Sequence, residues 1–243
     1  MKISDINKSN NIVFFGGAGV STESNIPDFR SANGIFSIKL NRSFTPEQLV
    51  SRTMFERYPE DFFDFYKKNL IYPDAKPNAA HYYLAKLEKM GKLKVVITQN
   101  IDTLHEQAGS KNVLKLHGTV DVNYCTKCGA YYNLEQFLNK KEEIPRCDKC
   151  SGVIKPYVTL YEEELDMTTF NSAIRYIQEA EVLIIGGTSL SVYPAANLIQ
   201  YFRGKYLVVI NKTPTSQDNM ADLVINDSIG KVCKELDEQL SEK

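Results

Sequence analysis

The chain has no apolar run approaching the roughly 20 residues needed to cross a bilayer as a helix. Its first residues, Met1 to Lys8, contain no apolar core of signal-peptide length. These absences speak against a helical membrane protein and a secretory leader, so a cytoplasmic location is expected. An excess of one charge is also missing. Lys and Arg number 29 against 30 Asp and Glu, a formal net charge of -1, so no general attraction to nucleic acid or an anionic membrane is expected. Cysteine is sparse. The five present among 243 residues read, in a cytoplasmic chain, as thiols or metal ligands rather than disulfides. The remaining composition, 43% hydrophobic and 24% charged, is that of a globular protein. At 27.6 kDa it can bury a full core, as one large domain or one domain with a small insertion.

The segment Phe14 to Ser31 organises the rest. An apolar run from Ile12 to Phe15 feeds Gly16-Gly17-Ala18-Gly19, and a polar stretch then ends in Ile26-Pro27-Asp28-Phe29-Arg30. That order suggests a strand, a phosphate-binding turn opening a helix, and a loop that closes over a ligand. The dinucleotide fingerprint wants a third glycine where Thr22 stands, so this turn taken alone is compatible with an ordinary strand-to-helix connection. Leu93 to Thr98, Val113 to Leu116, Val182 to Ile185 and Leu207 to Ile210 are further nearly continuous apolar runs, the pattern of strands buried on both faces of a parallel sheet. A short last strand is expected at Ala221 to Ile225 and an amphipathic closing helix at Ile229 to Leu240. The β/α alternation predicts a doubly wound α/β fold. In such folds the carboxyl edge of the sheet binds ligands, and there the sequence places Gln99-Asn100-Ile101-Asp102, His117-Gly118 and a second glycine turn, Gly186-Gly187-Thr188-Ser189. Asn211 follows the last long strand, either as a turn residue or as a hydrogen-bonding group for a nucleoside.

Between these elements lie segments of other character. Ser31 to Asn41 reads as a loop, and Thr45-Pro46-Glu47 as a helix start. Met54, Phe55, Tyr58, Phe62, Phe63, Phe65 and Tyr66 form an aromatic face on two short helices around Pro59, which either packs on the sheet or lines an apolar groove. Pro77-Asn78-Ala79-Ala80-His81 opens a helix ending near Gly91, with His81 as a packing or surface residue because no partner lies near it in sequence. Cys125-x-x-Cys128, eighteen residues, then Cys147-x-x-Cys150 has the spacing of a zinc ribbon. Four thiolates fill a tetrahedral site, so such a metal is structural, and it would compensate for a module too small to hold its own core. Cys233, beside Val232 and Leu236, reads as a packed core thiol. Lys155 to Tyr161 is an extended run whose Pro156 favours an edge, where a peptide strand could pair. The acidic run Glu162-Glu163-Glu164 after it is either a solvated surface or an attractor of basic peptides.

Taken together, Gly-Ala-Gly-Val-Ser, Ile-Pro-Asp-Phe-Arg-Ser, Thr-Gln-Asn-Ile-Asp, His-Gly, two Cys-x-x-Cys pairs and Gly-Thr-Ser-Leu, in that order, resemble the sirtuins, NAD-dependent protein lysine deacylases, in their compact microbial form. The match runs from about Ile12 to the C-terminus. The resemblance implies a Rossmann-like NAD-binding domain at 1–118 and 157–243, with a helical insertion at about 33–76, and a zinc-binding module at 119–156. It implies NAD as co-substrate, one structural zinc held by Cys125, Cys128, Cys147 and Cys150, and an acyl-lysine protein or peptide as substrate, with a monomer expected. The reaction implied is deacetylation of N6-acetyl-lysine, the acyl group passing to ADP-ribose with release of nicotinamide. On the family's pattern His117 is the general base, Asn100 orders the ribose or a water, and Asp102 holds the nicotinamide carboxamide. Gln99 and Ile101 complete that pocket. Ala18, Thr22, Phe29 and Arg30 contact NAD in the opening loop, Thr188 and Ser189 meet phosphate and ribose, and Asn211 with Ile229 meets the adenosine end. Val158 to Tyr161 would supply backbone hydrogen bonds to the peptide.

Two positions depart from the family's pattern. Asn25 and Glu162 both stand where glycine is usual, which bears on the mobility of the opening loop and on the geometry of the peptide strand. No Tyr-x-x-Arg pair lies between Phe55 and Lys76, so acetyl or a longer neutral acyl group is expected rather than succinyl or malonyl. Mono-ADP-ribosyl transfer at the same site, and a non-catalytic zinc-ribbon binding module on a Rossmann scaffold, are the competing readings.

Overall fold

A computed structural model of the chain describes residues 3–29, 31, 34–35 and 44–241. Nine strands are present among the described residues: β1 (Ile12–Gly16), β2 (Leu93–Thr98), β3 (Val113–Lys115), β4 (Gly118–Cys125), β5 (Tyr131–Asn133), β6 (Ile154–Val158), β7 (Val182–Gly186), β8 (Tyr206–Ile210) and β9 (Leu223–Ile225). The helices are α1 (Pro46–Leu49), α2 (Arg52–Arg57), α3 (Pro59–Asn69), α4 (Ala79–Lys89), α5 (Leu104–Gln107), α6 (Leu134–Leu138), α7 (Met167–Glu179) and α8 (Ile229–Ser241).

Six strands form one parallel sheet in the order β3-β2-β1-β7-β8-β9. The order in which strands are added reverses between β1 and β7, the point where a doubly wound sheet opens its ligand crevice. Both faces of the sheet are covered. Phe14, Val96 and Ile184 point to one side, where Tyr83, Leu84 and Leu87 of α4 meet Val232, Cys233 and Leu236 of α8. Val13, Phe15, Val95, Ile97, Leu183 and Ile185 point to the other, against Phe170, Ala173 and Ile177 of α7. Two-sided burial explains why β1 and β7 are apolar at every position before the glycine. It also pushes the Cys233 thiol pKa up, as befits a packed core thiol.

A second sheet, order β5-β4-β6, is antiparallel and leaves β6 at an edge, which accommodates Pro156. Its core is shared. Leu49, Met54, Phe62, Phe63, Phe65 and Tyr66 from α1 to α3 pack with Val120, Phe137, Ile154, Val158 and Leu160, and Phe63 and Tyr66 both touch Phe137 at ring-centroid distances of 6.1 and 6.2 Å. The aromatic face is therefore largely packing, and the small sheet shares its apolar interior with α1 to α3. Each fully buried Phe contributes on the order of 1.5–3 kcal/mol.

Local signals account for the helix starts. Thr45 caps α1 reciprocally with Gln48, with Pro46 at the first position. Ser51 Oγ accepts from Met54 N at the start of α2, and Pro59 opens α3. Asn78 caps α4 through Ala80 N, and its own N–H donates to His81 Nδ1 at 3.2 Å. His81 is fully buried, and the chain does bring it a partner distant in sequence: the His105 ring lies 4.7 Å away between centroids. The opening segment differs from expectation. No α-helix follows the glycine turn; two 3-10 turns, Ala18–Val20 and Thr22–Ser24, stand there instead. Most of the loop expected at 31–41, with Asn33, lies outside the described residues, as does Arg30.

Candidate active site and metal centre

The two glycine turns interlock at the reversal point of the large sheet. Gly19 N donates to Gly187 O at 2.8 Å, and Gly17 N to Gly186 O at 3.2 Å. A Cβ on Gly19 would lie 2.8 Å from both Gly187 Cα and Gly187 O, so glycine is required there for backbone against backbone. Gly187 has φ +57, and a Cβ on it would meet Val20 N at 2.4 Å. The third dinucleotide glycine is dispensable because Thr22 closes its own turn, Oγ1 donating to Gly19 O at 3.0 Å. Asn25 takes the left-handed conformation, φ 63, at the end of the second turn, a region asparagine tolerates.

These turns border a cleft of about 1560 Å³ that runs between the large sheet and the smaller sheet with its helices. Its size exceeds the roughly 300–1,000 Å³ of a single small-molecule site and leaves room for two substrates. Ala18, Thr22, Phe29, Gln99, Asn100, Ile101, Asp102, His117, Thr188, Ser189, Asn211 and Ile229 all line it, as do Val158 to Tyr161. Every described candidate residue outside the cysteine cluster therefore meets in one space.

Within the cleft a hydrogen-bond chain fixes the polar groups. Asn100 Nδ2 donates to Ser21 Oγ at 3.1 Å, and Ser21 Oγ donates to Asp102 Oδ2 at 2.8 Å. Asp102 Oδ1 accepts from Leu104 N at 3.0 Å. Burial raises the Asp102 carboxyl pKa, against the opposing pull of Leu104 N and the Ser21 hydroxyl. Lys115 Nζ donates to Asp102 O at 3.0 Å and pairs with Glu106 at 2.9 Å, anchoring the loop from below. Gln99 Nε2 reaches Thr188 Oγ1 at 3.2 Å, linking the loops after β2 and β7. Asn211 Nδ2 bonds Thr213 O at 2.8 Å, so its side chain shapes a turn while bordering the cleft.

The His117 ring makes one hydrogen bond. Its Nδ1 lies 2.9 Å from Gln99 O; a carbonyl only accepts, so the proton sits on Nδ1 and Nε2 carries a lone pair. Burial lowers the pKa of the imidazole, with the Gln99 carbonyl opposing. Neutral histidine is thus the favoured form at neutral pH, able to take a proton.

Ser21 and Asn78 were not assigned roles from sequence. Ser21 is 1% exposed and joins Asn100 to Asp102; Asn78 Nδ2 donates to Val20 O at 2.8 Å and Ser24 Oγ at 2.9 Å, tying α4 to the opening turns. A hydroxyl two residues past Gly19 was the available sequence signal for Ser21.

The four cysteines converge away from this cleft. The Sγ atoms of Cys125, Cys128, Cys147 and Cys150 lie within 4.8 Å of one another, with Cys125–Cys150 at 3.4 Å and Cys128–Cys147 at 3.6 Å. Tetrahedral zinc with bonds of about 2.3 Å sets sulfurs about 3.8 Å apart, so the donor set fits. Lys127 N and Lys149 N each donate to a sulfur at 3.4 Å, and the Tyr132 hydroxyl donates to Cys147 Sγ at 3.2 Å, the outer support that thiolate sites use. The cluster is positioned to hold a structural metal ion.

Comparison with known proteins agrees with this architecture. The Sir2 family model matches residues 17–194. An NAD-dependent protein deacetylase of Clostridium perfringens (strain 13 / Type A) is 65% identical over 228 residues, covering 93% of each chain, and one of Clostridium tetani (strain Massachusetts / E88) is 58% identical over 235 residues, covering 97% of this chain and 95% of its own. Among solved structures, a Sir2 with a peptide and NAD+ superposes with a TM-score of 0.87 at 36% identity over all of both chains, and a Sir2 bound to an acetylated peptide with 0.85 at 36%, also over all of both chains. The chain belongs to the Sir2 family.

Proposed function

We propose that the chain is an NAD-dependent protein lysine deacetylase that transfers the acyl group of N6-acetyl-lysine to ADP-ribose. The observation carrying this reading is the neutral His117, its Nε2 lone pair in the same cleft as Asn100 and Asp102. When bound, NAD supplies the electrophilic ribose carbon and nicotinamide as leaving group. His117 Nε2 would accept the proton of a ribose hydroxyl, the chemistry by which the acyl group would pass to ADP-ribose once the amide oxygen has displaced nicotinamide, with water taken up and the lysine amine released. Asn100, oriented by Ser21, orders the ribose or a water; Asp102, oriented by Ser21 and Leu104 N, holds the nicotinamide carboxamide; Gln99 and Ile101 complete the pocket. Ala18, Thr22 and Phe29 meet the cofactor from the opening loop, Phe29 excluding water from the sugar face, and Arg30 pairs with phosphate. Thr188 and Ser189 take phosphate and ribose, and Asn211 and Ile229 the adenosine end. Val158 to Tyr161 bind the acyl-lysine peptide in extended form.

The domain division follows the same reading: a Rossmann-like part at 1–118 and 157–243, interrupted by the helices within 33–76, and a zinc-binding part at 119–156. No described helix is long and apolar enough to cross a membrane, and a cytoplasmic monomer with no nucleic-acid partner is part of the proposal. The relatives' name favours deacetylation over mono-ADP-ribosyl transfer, and a binding module alone gives no reason for His117, Asn100 and Asp102 to share a cleft. His117→Ala tests the reading. It is expected to keep NAD affinity and fold while losing turnover by about 10²–10⁴-fold, the usual contribution of a general base; near-normal turnover removes His117 from that role.

A further inference from the structure

Lys155 is a lysine in an unusual place. It sits on the edge strand β6 at 8% exposure, where a lysine belongs only if its charge is paired. Its Nζ donates to Val158 O at 3.1 Å, pairs with Glu163 Oε2 at 3.1 Å, and lies 6.0 Å from the centre of the Phe55 ring. The same Glu163 oxygen accepts from Leu160 N at 2.9 Å, and Glu163 N donates back to Leu160 O at 3.1 Å. One partly buried ion pair therefore closes on the backbone at both Val158 and Leu160. Burial lowers the Lys155 pKa, with Glu163 opposing.

The outer side of the same segment is tied as well. Tyr161 N donates to Val50 O at 3.1 Å and Arg52 N to Tyr161 O at 3.0 Å. Glu162 adopts φ 73, a left-handed backbone costly for a non-glycine residue, while its carboxylate accepts from Thr53 N at 2.9 Å and Thr53 Oγ1 at 2.6 Å. Thr159 N donates to His117 O at 3.0 Å. Val158 to Glu163 borders the cleft, whereas Lys155 does not.

We infer that the Lys155–Glu163 pair is a positioning device that fixes the backbone course of Val158 to Tyr161 along the cleft wall proposed to receive the acyl-lysine peptide, and so controls peptide affinity rather than NAD affinity. This rests on the functional reading above. A strand held in its binding shape before the peptide arrives spares the ordering cost at binding. Lys155 touches neither substrate; it acts through the carbonyl of Val158 and, by way of Glu163, the N–H of Leu160.

The test is steady-state kinetics on wild type, K155M, K155R and E163Q with an acetyl-lysine peptide and NAD, together with peptide binding by fluorescence polarisation. K155M is expected to raise the KM and Kd for peptide about tenfold, about 1.4 kcal/mol, while the KM for NAD stays within about twofold. K155R keeps the charge and the donors and is expected to recover most of the peptide affinity. E163Q carries the test if K155M does not fold, with the same split expected. Equal losses for peptide and NAD, or unchanged peptide affinity in both K155M and E163Q, would overturn the inference. Wild-type protein that deacetylates without NAD, or not at all, overturns the functional reading and this inference with it.

Discussion

Acid should weaken this fold through a histidine pair that takes no part in the proposed chemistry. His81 is fully buried, its pKa lowered by that burial to about 4, and its Nδ1 is occupied as acceptor for Asn78 N. His105 is 1% exposed and lowered further below the ordinary value by burial, with His81 and Lys115 adding to the effect. A histidine depressed in the native state favours folding fully above its unfolded value of about 6.5; that contribution declines as pH falls and is gone once the pH passes the native value. For His81 alone, native pKa about 4, the loss between pH 8 and 5.5 is on the order of 1 kcal/mol. This corresponds to a fall in Tm of roughly 2–4 °C for a chain of this size. The assay is urea unfolding by circular dichroism at both pH values, on wild type and on His81→Gln. Glutamine at the third helical position can still accept from the cap N–H, so α4 keeps its start while the titrating group is removed. The difference between the two proteins cancels whatever the thiols and carboxylates contribute in common. His81→Gln should lose on the order of 1 kcal/mol less stability than wild type over the interval. Identical pH dependence in the two proteins would refute the reasoning.

Gly19→Ala places a Cβ 2.8 Å from the Gly187 backbone and should cost about 1–3 kcal/mol of stability, with a rise in the KM for NAD as the glycine turns part; calorimetry and kinetics together check both. Slow chelation should strip the Cys125, Cys128, Cys147 and Cys150 cluster, disorder the small sheet and stop turnover at the same rate, because that sheet shares its core with Val50, Val120, Val158 and Leu160, which border the cleft. Full activity in metal-free protein would refute a structural metal.

Much of the fold was legible because its signals are local. Ile12 to Phe15 and Val182 to Ile185 announce themselves as strands, since burial on both faces leaves no polar position. Thr45-Pro46 and Asn78 mark helix starts by side chains that act within three residues. What escaped sequence reasoning depends on long-range contact. His105 reaches His81 only once α4 and α5 pack; Lys155 looks like an edge-strand lysine until Glu163 folds back on it. The helix expected after Gly19 gives way to 3-10 turns because Gly19 is bonded to Gly187 and Thr22 to Gly19, constraints a local pattern does not contain. The shared core of α1 to α3 with the small sheet joins segments roughly a hundred residues apart, so a stretch too small to hold its own core was legible in the sequence but the helices that complete that core were not. The positions named for the cleft were legible as a set because strand ends in a parallel sheet share one edge. Ser21 was quoted in a motif yet given no role, since its value lies in joining Asn100 to Asp102.

The most direct test of the functional account is a product balance on purified protein with an acetyl-lysine peptide, with and without NAD. Deacetylated peptide, nicotinamide and acetyl-ADP-ribose should form in equal amounts and only when NAD is present. Deacetylation without NAD, or ADP-ribose left attached to protein in place of acetyl-ADP-ribose, would contradict it.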